Sequence, residues 1–375
     1  MKSLIIHASS IDELTLKIDE ASSFETTLAF IYTSSSYDIR ELVTQLNKYP
    51  FLVYGSTTAG ELSADANNGA MEQAKTIVCM LLDINPSAIA LKLFPAQNDK
   101  YYEMGKEVGQ WIHSNFSNAG AVTVTSGLQL DTESFAQGIA SNNIEDIFGG
   151  IAGDDFELKE TFVFSKENFS DHGVIVLAID KDKINIAGAR AFGWAGVGAQ
   201  KVITKSDKNI VYEIDNKPAV DFYTKYLNIV SSDMPGVGLE YPLEVNMSDG
   251  NIAYRACLAF DDSNGSLIFG GHVEENSRVK IATVKGAEII HSVTDSIVNV
   301  LDDKNFTPEI GLLFPCCSRK SALAEQAIKE IKTIYDVSKV PLIGFYAYGE
   351  IGFFSGGYGF QNETFVTAFL SEKGN

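Results

Sequence analysis

The chain has 375 residues, which is long for one hydrophobic core, so we expect two domains. Its 29 basic and 49 acidic residues give a formal net charge of −20, and so acidic a surface repels phosphate backbones and anionic membranes. Nucleic acids and membranes are therefore not expected as partners. No stretch approaches the ~18 apolar residues of a membrane span, and the apolar run at the N-terminus is too short for a signal peptide. We expect a cytoplasmic protein.

The first clear unit begins with an apolar strand at 28–32. In the Ser-rich loop that follows, Ser35 or Ser36 is positioned to cap a helix with apolar residues at i, i+3, i+4 and i+7: Ile39, Leu42, Val43 and Leu46. A second strand at 51–54 leads into the turn Gly60-Glu61, and a third strand covers 76–82. The plan is strand, helix, strand, glycine–acid turn, strand.

The same plan recurs twice. The second copy has a strand at 121–125, a helix capped by Asp131 or Thr132, the turn Gly153-Asp154 and a strand at 174–179. The third has a strand at 310–314, an amphipathic helix with apolar residues from 323 to 334, the turn Gly349-Glu350 and a strand at 364–370. This self-similarity predicts an α/β fold with mixed sheets, in which two pseudo-symmetric lobes are built from repeated strand–helix–strand–hairpin units.

A polar stretch at 205–209 separates the two predicted domains, which cover residues 1–209 and 210–375. After it, Pro218 suits the first turn of a helix that carries Phe222, Tyr223 and Leu227.

The glycine–acid turns are the first candidates for chemistry. Glu61, Asp154 and Glu350 each follow a glycine at the end of an apolar strand. Such a carboxylate is suited to a ligand ammonium or to backbone N–H groups of the opposite lobe, and glycine lets another chain approach closely. The alternative is that all three are structural turns whose acids bind local donors. Repetition alone favours a shared architectural role.

The segment 314–319, Phe-Pro-Cys-Cys-Ser-Arg, lies between a buried strand and a helix start, the edge at which open α/β sheets bind ligands. Arg319 offers a rigid fork of donors suited to a carboxylate, and Cys316 is placed where a thiol can become reactive. The alternative is a packed Cys316 and an Arg319 paired with an internal acid such as Glu350. A Cys316-dependent hydrolase also stays open.

Arg255 lies within an apolar strand pattern at 252–258, where a charge needs a partner from the protein or from a ligand. A structural salt bridge is the favoured partner. Aromatic residues near the C-terminus are candidates for lining a pocket: Phe345, Tyr346, Tyr348, Phe353, Phe354 and Tyr358.

Metal and catalytic signatures are missing from the sequence. The five histidines and four cysteines have neither zinc-ligand nor CxxC spacing, so no metal site or disulfide framework is expected. No GxSxG elbow, P-loop or GxGxxG followed by a helix occurs. We predict no catalytic residue. Haem needs a single axial histidine and is not excluded by the count.

In their order, these motifs resemble the FIST family, in which FIST-N and FIST-C domains occur in tandem. The similarity extends over nearly the whole chain, from about residue 25 to 370, and rests on an ordered series of segments: 53–61, 148–154, 193–198, 211–219, 241–243, 314–319, 344–350 and 362–364. The last of these brings Asn362 and Thr364 into the predicted ligand site.

The resemblance implies an intracellular sensory module for small ligands such as amino acids. Other members are fused to kinase, chemoreceptor or cyclic-dinucleotide domains, so a separate signalling protein of one of these kinds is the expected partner here. Some members bind haem and sense nitric oxide, but Gln361 stands where a histidine is expected.

The predicted ligand is an amino acid or a similar carboxylate. Arg319 would hold its carboxylate, Glu350 with Glu61 or Asp154 would meet its ammonium, and Tyr346 and Tyr348 would shape the pocket. Cys316, Asn362, Thr364 and Arg255 complete the predicted site.

Overall fold

The computed structural model describes residues 1–21, 23–248, 250–284, 286–302, 306–353 and 359–374. Three copies of one unit make up most of the fold. The first contains β1 (Lys2–Ala8), α1 (Ile11–Glu20), β2 (Leu28–Thr33), α2 (Ile39–Leu46), β3 (Leu52–Thr57), β4 (Glu61–Asp65), β5 (Gly69–Gln73) and β6 (Ile77–Asp83).

A short 3₁₀ turn at Pro86–Ala88 leads into the second unit. That unit contains β7 (Ile89–Pro95), α3 (Tyr101–Asn115), β8 (Ala119–Ser126), α4 (Thr132–Ala140), β9 (Ile147–Ile151), β10 (Val163–Phe164), β11 (Phe169–Ser170) and β12 (Gly173–Asp180).

The third unit begins with β13 (Ile184–Ala191) and is interrupted by residues 194–284, which we call the insert. The insert contains β14 (Trp194–Asp207), β15 (Ile210–Ile214), β16 (Lys217–Pro218), α5 (Val220–Leu227), a 3₁₀ turn (Ser231–Asp233), α6 (Gly236–Glu240), β17 (Leu243–Asn246), β18 (Ile252–Arg255), β19 (Cys257–Asp261), β20 (Ser266–Phe269) and β21 (Arg278–Val284).

The third unit resumes after the insert. It continues with α7 (Glu288–Leu301), β22 (Ile310–Pro315), α8 (Cys317–Leu323), a 3₁₀ turn (Ala324–Gln326), α9 (Ile328–Ser338), β23 (Leu342–Phe345), β24 (Glu350–Gly352), β25 (Phe360–Gln361) and β26 (Phe365–Glu372).

Each unit forms a sheet with the same strand order: β1-β6-β2-β3, β7-β12-β8-β9 and β13-β26-β22-β23. The last two strands of each set are parallel and the other neighbours are antiparallel, so all three sheets are mixed.

The units exchange their hairpins in a cycle. Hairpin β4–β5 of the first unit pairs with β23 of the third, β10–β11 of the second pairs with β3 of the first, and β24–β25 of the third pairs with β9 of the second. Because each hairpin completes a neighbour's sheet, the three units form one closed body.

Side-chain alternation along the strands divides this body into layers. In β2, Phe30 points into a central core that also takes Phe148 and Phe314 from the other two sheets. Its neighbour Ile31 points outward, where α1 and α2 cover it with apolar residues such as Leu42. The helices of the other units cover their sheets in the same way.

Two helix starts test the predicted caps. Asp131 caps α4 by accepting the Ser134 N–H at 2.9 Å, as predicted. The cap of α2 is Asp38, which accepts the Glu41 N–H at 3.0 Å, so the prediction of Ser35 or Ser36 was wrong. Those serines instead contact Ser34 and Asp155 in the loop before the helix.

The insert has its own sheet, in the order β18-β17-β21-β14-β15-β20-β19, with β16 added beside β15. It also has its own core, which includes Val211, Tyr223 and Leu243. The predicted boundary at 209/210 falls between β14 and β15, two paired strands of this sheet.

The mixed α/β class and the repeated strand–helix–strand–hairpin unit are confirmed. The chain has two parts, the three-unit body and the insert. The three repeated units all lie in the body, which is the larger of these two parts.

Candidate functional site

The three glycine–acid turns bond to one another at one end of the body. Tyr346 N–H donates to the Gly60 carbonyl, Gly153 N–H to the Thr57 carbonyl, and Ile151 N–H to the Gly349 carbonyl, at 2.8–3.1 Å. A Cβ on Gly153 would lie 2.4 Å from the Ala59 nitrogen, so this close approach requires glycine. The turns therefore share an architectural role, and their carboxyl groups must be compared individually.

The carboxyl group of the first turn is fully bonded. Glu61 accepts the Thr58 hydroxyl at 2.6 Å and the Thr76 hydroxyl at 2.8 Å, and also the Thr76 N–H at 3.3 Å. It is buried, and because burial outweighs these donors, its pKa rises to about 7.

The second turn is also saturated. Asp154 accepts backbone N–H groups from Leu158 (3.0 Å), Lys159 (2.6 Å) and Glu160 (3.0 Å), and the hydroxyl of Tyr348. These bonds fix the loop after β9. Asp154 therefore stabilises this loop, which is the structural alternative to binding a ligand.

The third turn differs. Glu350 Oε2 accepts the Thr364 N–H at 3.1 Å, as Glu61 accepts Thr76, but Oε1 has no hydrogen-bond partner among the described residues. The position of Thr58 is occupied by Ala347 in this turn, so the hydroxyl that completes the first turn is missing. Burial raises the pKa of Glu350 well above its ordinary value, and neighbouring Cys316 and Glu363 add to the rise.

Further unpartnered atoms lie around Glu350. They are Ser318 Oγ, Asn362 Oδ1 and both carboxyl oxygens of Glu363, all on side chains at most 2% exposed. Cys316 is held beside them, since its N–H donates to the Thr364 carbonyl at 2.9 Å and its backbone bridges to Ala347. We call these five residues the third-turn cluster: Cys316, Ser318, Glu350, Asn362 and Glu363.

Glu363 is the most unusual member of the cluster. Its φ of 64° lies in the left-handed region, which side chains such as glutamate seldom adopt and which costs on the order of 1–3 kcal/mol. Burial raises its pKa to about 8, although the nearby Ser318 hydroxyl and the charge of Arg319 lower it. Ser318 lies close enough to Glu363 for this effect but forms no hydrogen bond of normal geometry with it. A strained, buried and unpartnered carboxyl group is typical of a functional site.

The environment of the Cys316 thiol favours its neutral form. Burial raises its pKa well above the ordinary value, and Cys317 and Glu363 contribute to the rise. A nucleophilic cysteine requires the opposite shift, so this environment does not favour the Cys316-dependent enzyme.

Arg319 is fully engaged within the protein. Its Nη2 donates to Glu330 Oε1 at 2.5 Å and to the Ile289 carbonyl at 3.2 Å, and Nη1 donates to the carbonyls of Phe192 and Glu363, both at 3.3 Å. Arg319 thus forms an internal ion pair, which was the alternative to ligand binding. Its partner is Glu330 and not Glu350. The structure therefore does not support the prediction that Arg319 holds a ligand carboxylate, because its donors have protein acceptors.

Arg255 has the structural partner that was favoured for it. Its Nη2 lies 3.3 Å from Glu133 Oε1 in the second unit, and Nε donates to the His272 carbonyl at 3.0 Å. His272 also bonds Asp131, which raises the histidine pKa against the effect of burial. This group joins the insert to the second unit beside the third-turn cluster, because Gly271 lies against Arg255 and its neighbour Gly270 lies against Asn362.

The two predicted pocket tyrosines bind carboxylates elsewhere. The Tyr346 hydroxyl donates to Glu72 at 3.2 Å, and the Tyr348 hydroxyl donates to Asp154. Phe354 and Tyr358 lie outside the described residues.

The structure thus brings together Cys316, Glu350, Asn362 and Thr364 of the predicted site. Glu61 and Asp154 remain in their own turns, and Arg255 and both tyrosines serve other contacts. Sequence reasoning missed Ser318, Glu330 and Glu363. The sequence did offer one signal for Glu363, because it is a charged residue placed between Asn362 and the apolar strand that follows.

Haem does not fit this cluster. Its described residues include no histidine, and the nearby sequence position expected to hold one is Gln361. The other possible haem ligand, Cys316, has a raised thiol pKa. Across the described parts of the chain, no group of three or more His, Cys, Asp or Glu residues is suited to a metal ion.

The buried, unpartnered polar atoms beside the insert make the third-turn cluster the candidate ligand site of this fold. The sequence profile of the FIST N domain matches residues 27–217, and that of the FIST C domain matches residues 219–353. The chain belongs to the FIST family, whose domains are sensory domains of signal transduction proteins. No curated protein matches the chain in sequence. No helix in the described ranges is long and apolar enough to cross a membrane.

Proposed function

We propose that this protein is a cytoplasmic sensor that binds a small molecule, such as an amino acid, at the third-turn cluster. One observation carries the proposal. The carboxyl groups of the first two turns are saturated by protein donors, whereas the third turn holds unpartnered oxygens on Glu350, Asn362 and Glu363. Each such buried atom costs about 1–3 kcal/mol unless something binds it, and a ligand that binds them recovers this energy.

The insert covers the cluster from one side. A Cβ on Gly270 would lie 3.1 Å from Asn362 Oδ1, so the loop after β20 rests directly on Asn362. Because the cluster is buried, entry of a ligand requires a part of its surroundings to move, and the loop after β20 is the part of the insert that lies against it. Ligand binding is therefore linked to the position of the insert.

A second link runs through the backbone of Glu363. Its carbonyl accepts Trp194 Nε1 at 2.9 Å and Arg319 Nη1 at 3.3 Å. Arg319 also holds the carbonyls of Phe192 and Ile289, which flank the two places where the chain passes between body and insert. A change at Glu363 thus acts directly on both connections to the insert.

The output is a changed arrangement of insert and body, read by a signalling protein such as a histidine kinase, a chemoreceptor or a cyclic-dinucleotide enzyme. The free energy available to drive this change is the difference between the binding free energies of the ligand for the two arrangements.

A thermal-shift screen of the common amino acids and related small molecules tests this function. We expect a hit to raise the melting temperature of the wild type and of Glu61→Gln, the matched carboxyl of the first turn, but not of Glu363→Gln. Hydrogen exchange with the hit should change at 192–194 and 270–272. A hit whose effect survives in Glu363→Gln would place the binding site elsewhere, and unchanged exchange would contradict the proposed output.

A further inference from the structure

The unpartnered atoms of the third-turn cluster share one chemical property. Setting aside the Ser318 hydroxyl, they are oxygens of Glu350, Asn362 and Glu363, and when the two carboxyl groups are ionised all of these oxygens only accept hydrogen bonds. A ligand that satisfies them must bring donors. This requirement is opposite to that of a carboxylate, which brings acceptors only.

The basic residues around the cluster already have partners. Arg319 is paired with Glu330, Arg255 with Glu133, and Lys320 Nζ lies 3.4 Å from Glu72. Each of these three cations is therefore paired with a carboxylate. Neither Glu350 nor Glu363 forms an ion pair with a cation among the described residues.

We propose that the third-turn cluster binds a compact organic cation, an alkylammonium or guanidinium group whose N–H donors bond Glu350, Asn362 and Glu363. The inference rests on the proposed function and narrows the ligand class of the same site. The ligand's single positive charge takes the place of one proton, the one that Glu363 holds near pH 6.5 in the empty site because its pKa is about 8. That proton leaves to solvent, so binding of one cation is coupled to release of one proton.

A carboxylate on the ligand weakens binding in this site. It would lie near two acidic side chains with its own acceptors unmatched, because Arg319 has no donor free for it. Among small ligands of similar size, the order of affinity is therefore ethylammonium above L-alanine, with propionate not bound.

Calorimetric titration of the full chain tests the ligand class. The probes are ethylammonium chloride, L-alanine and sodium propionate at equal ionic strength, near pH 6.5. The variants are Glu350→Gln and the matched control Glu61→Gln, which changes the equivalent turn. We expect ethylammonium to bind the wild type and Glu61→Gln equally, and Glu350→Gln about ten- to a hundredfold more weakly, since one charge-assisted hydrogen bond is lost.

Proton release gives a second readout that needs no variant. The heat of ethylammonium binding to the wild type should differ between two buffers of different ionisation enthalpy. Equal heats would overturn the coupling between binding and ionisation of the carboxyl groups.

The outcomes separate the two proposals. Tighter binding of propionate or L-alanine than of ethylammonium, lost in Glu350→Gln, overturns the cation class and leaves the sensor function standing. If none of the three probes binds and no compound of the wider screen depends on Glu350 or Glu363, both proposals fail, and water alone satisfies these oxygens.

Discussion

Removing Glu330 tests the account of Arg319 most severely. Glu330→Ala takes away the acceptor at 2.5 Å from Nη2 and at 3.2 Å from Nε, and leaves a fully buried guanidinium without a counter-charge. Breaking a buried pair in this way costs about 3–5 kcal/mol. Three backbone carbonyls still bind Arg319, so we expect the lower half of this range.

Urea unfolding at neutral pH measures the loss as a lower midpoint at unchanged slope. Glu325→Ala is the matched control, because Glu325 lies in the 3₁₀ turn just before α9, close in sequence to Glu330, and is exposed. It should change stability by less than about 0.5 kcal/mol. The double variant Arg319→Met, Glu330→Met should recover most of the loss, since no buried charge remains unpaired. A Glu330→Ala protein as stable as its control would refute the internal ion pair.

Three further predictions concern the buried carboxyl groups and the thiol. The pKa of Glu363 is 4.5 ordinarily and about 8 in the folded protein, so the folded state holds a proton that the unfolded state has lost and stability falls as pH rises between these values. Glu363→Gln should therefore flatten the decline in urea midpoint between about pH 5 and pH 8, and an equally steep decline would contradict the buried, unpaired carboxyl. Thr58→Ala removes the hydroxyl that binds Glu61 at 2.6 Å, which should cost about 1–3 kcal/mol in unfolding free energy; no measurable loss would show that this turn does not depend on that bond. Cys316 should react with iodoacetamide far more slowly in the native protein than after unfolding, as followed by peptide mass spectrometry, and equal rates would contradict its burial and raised thiol pKa.

Much of the fold follows from local pattern. Apolar runs, helical spacing and glycine–acid turns locate the repeated unit in all three copies, because each depends on residues close in sequence. The exchange of hairpins does not follow from local pattern. The side chains of β4 alternate between its two faces in the same way whichever neighbouring sheet the strand joins. Its pairing with β23 is set by contacts across more than half the chain.

The candidate site was predictable in part for the same reason. Cys316 and Glu350 stand at strand ends, which periodicity reveals. The sequence could not show that Arg319 is paired with Glu330. The helix breaks at Ala324, whose φ is 47°, and this break brings Glu330 on α9 back beside Arg319 on α8. Glu363 acquires its role from a left-handed backbone that no residue pattern announces.

A high-resolution crystal structure of the protein with ethylammonium tests the central claim most directly. We expect the cation's nitrogen within hydrogen-bond distance of Glu350 Oε1 and of a Glu363 carboxyl oxygen, and the loop after β20 displaced from Asn362. Water molecules on these oxygens, with the ligand bound at another place or absent, would contradict the claim that the third turn is the binding site.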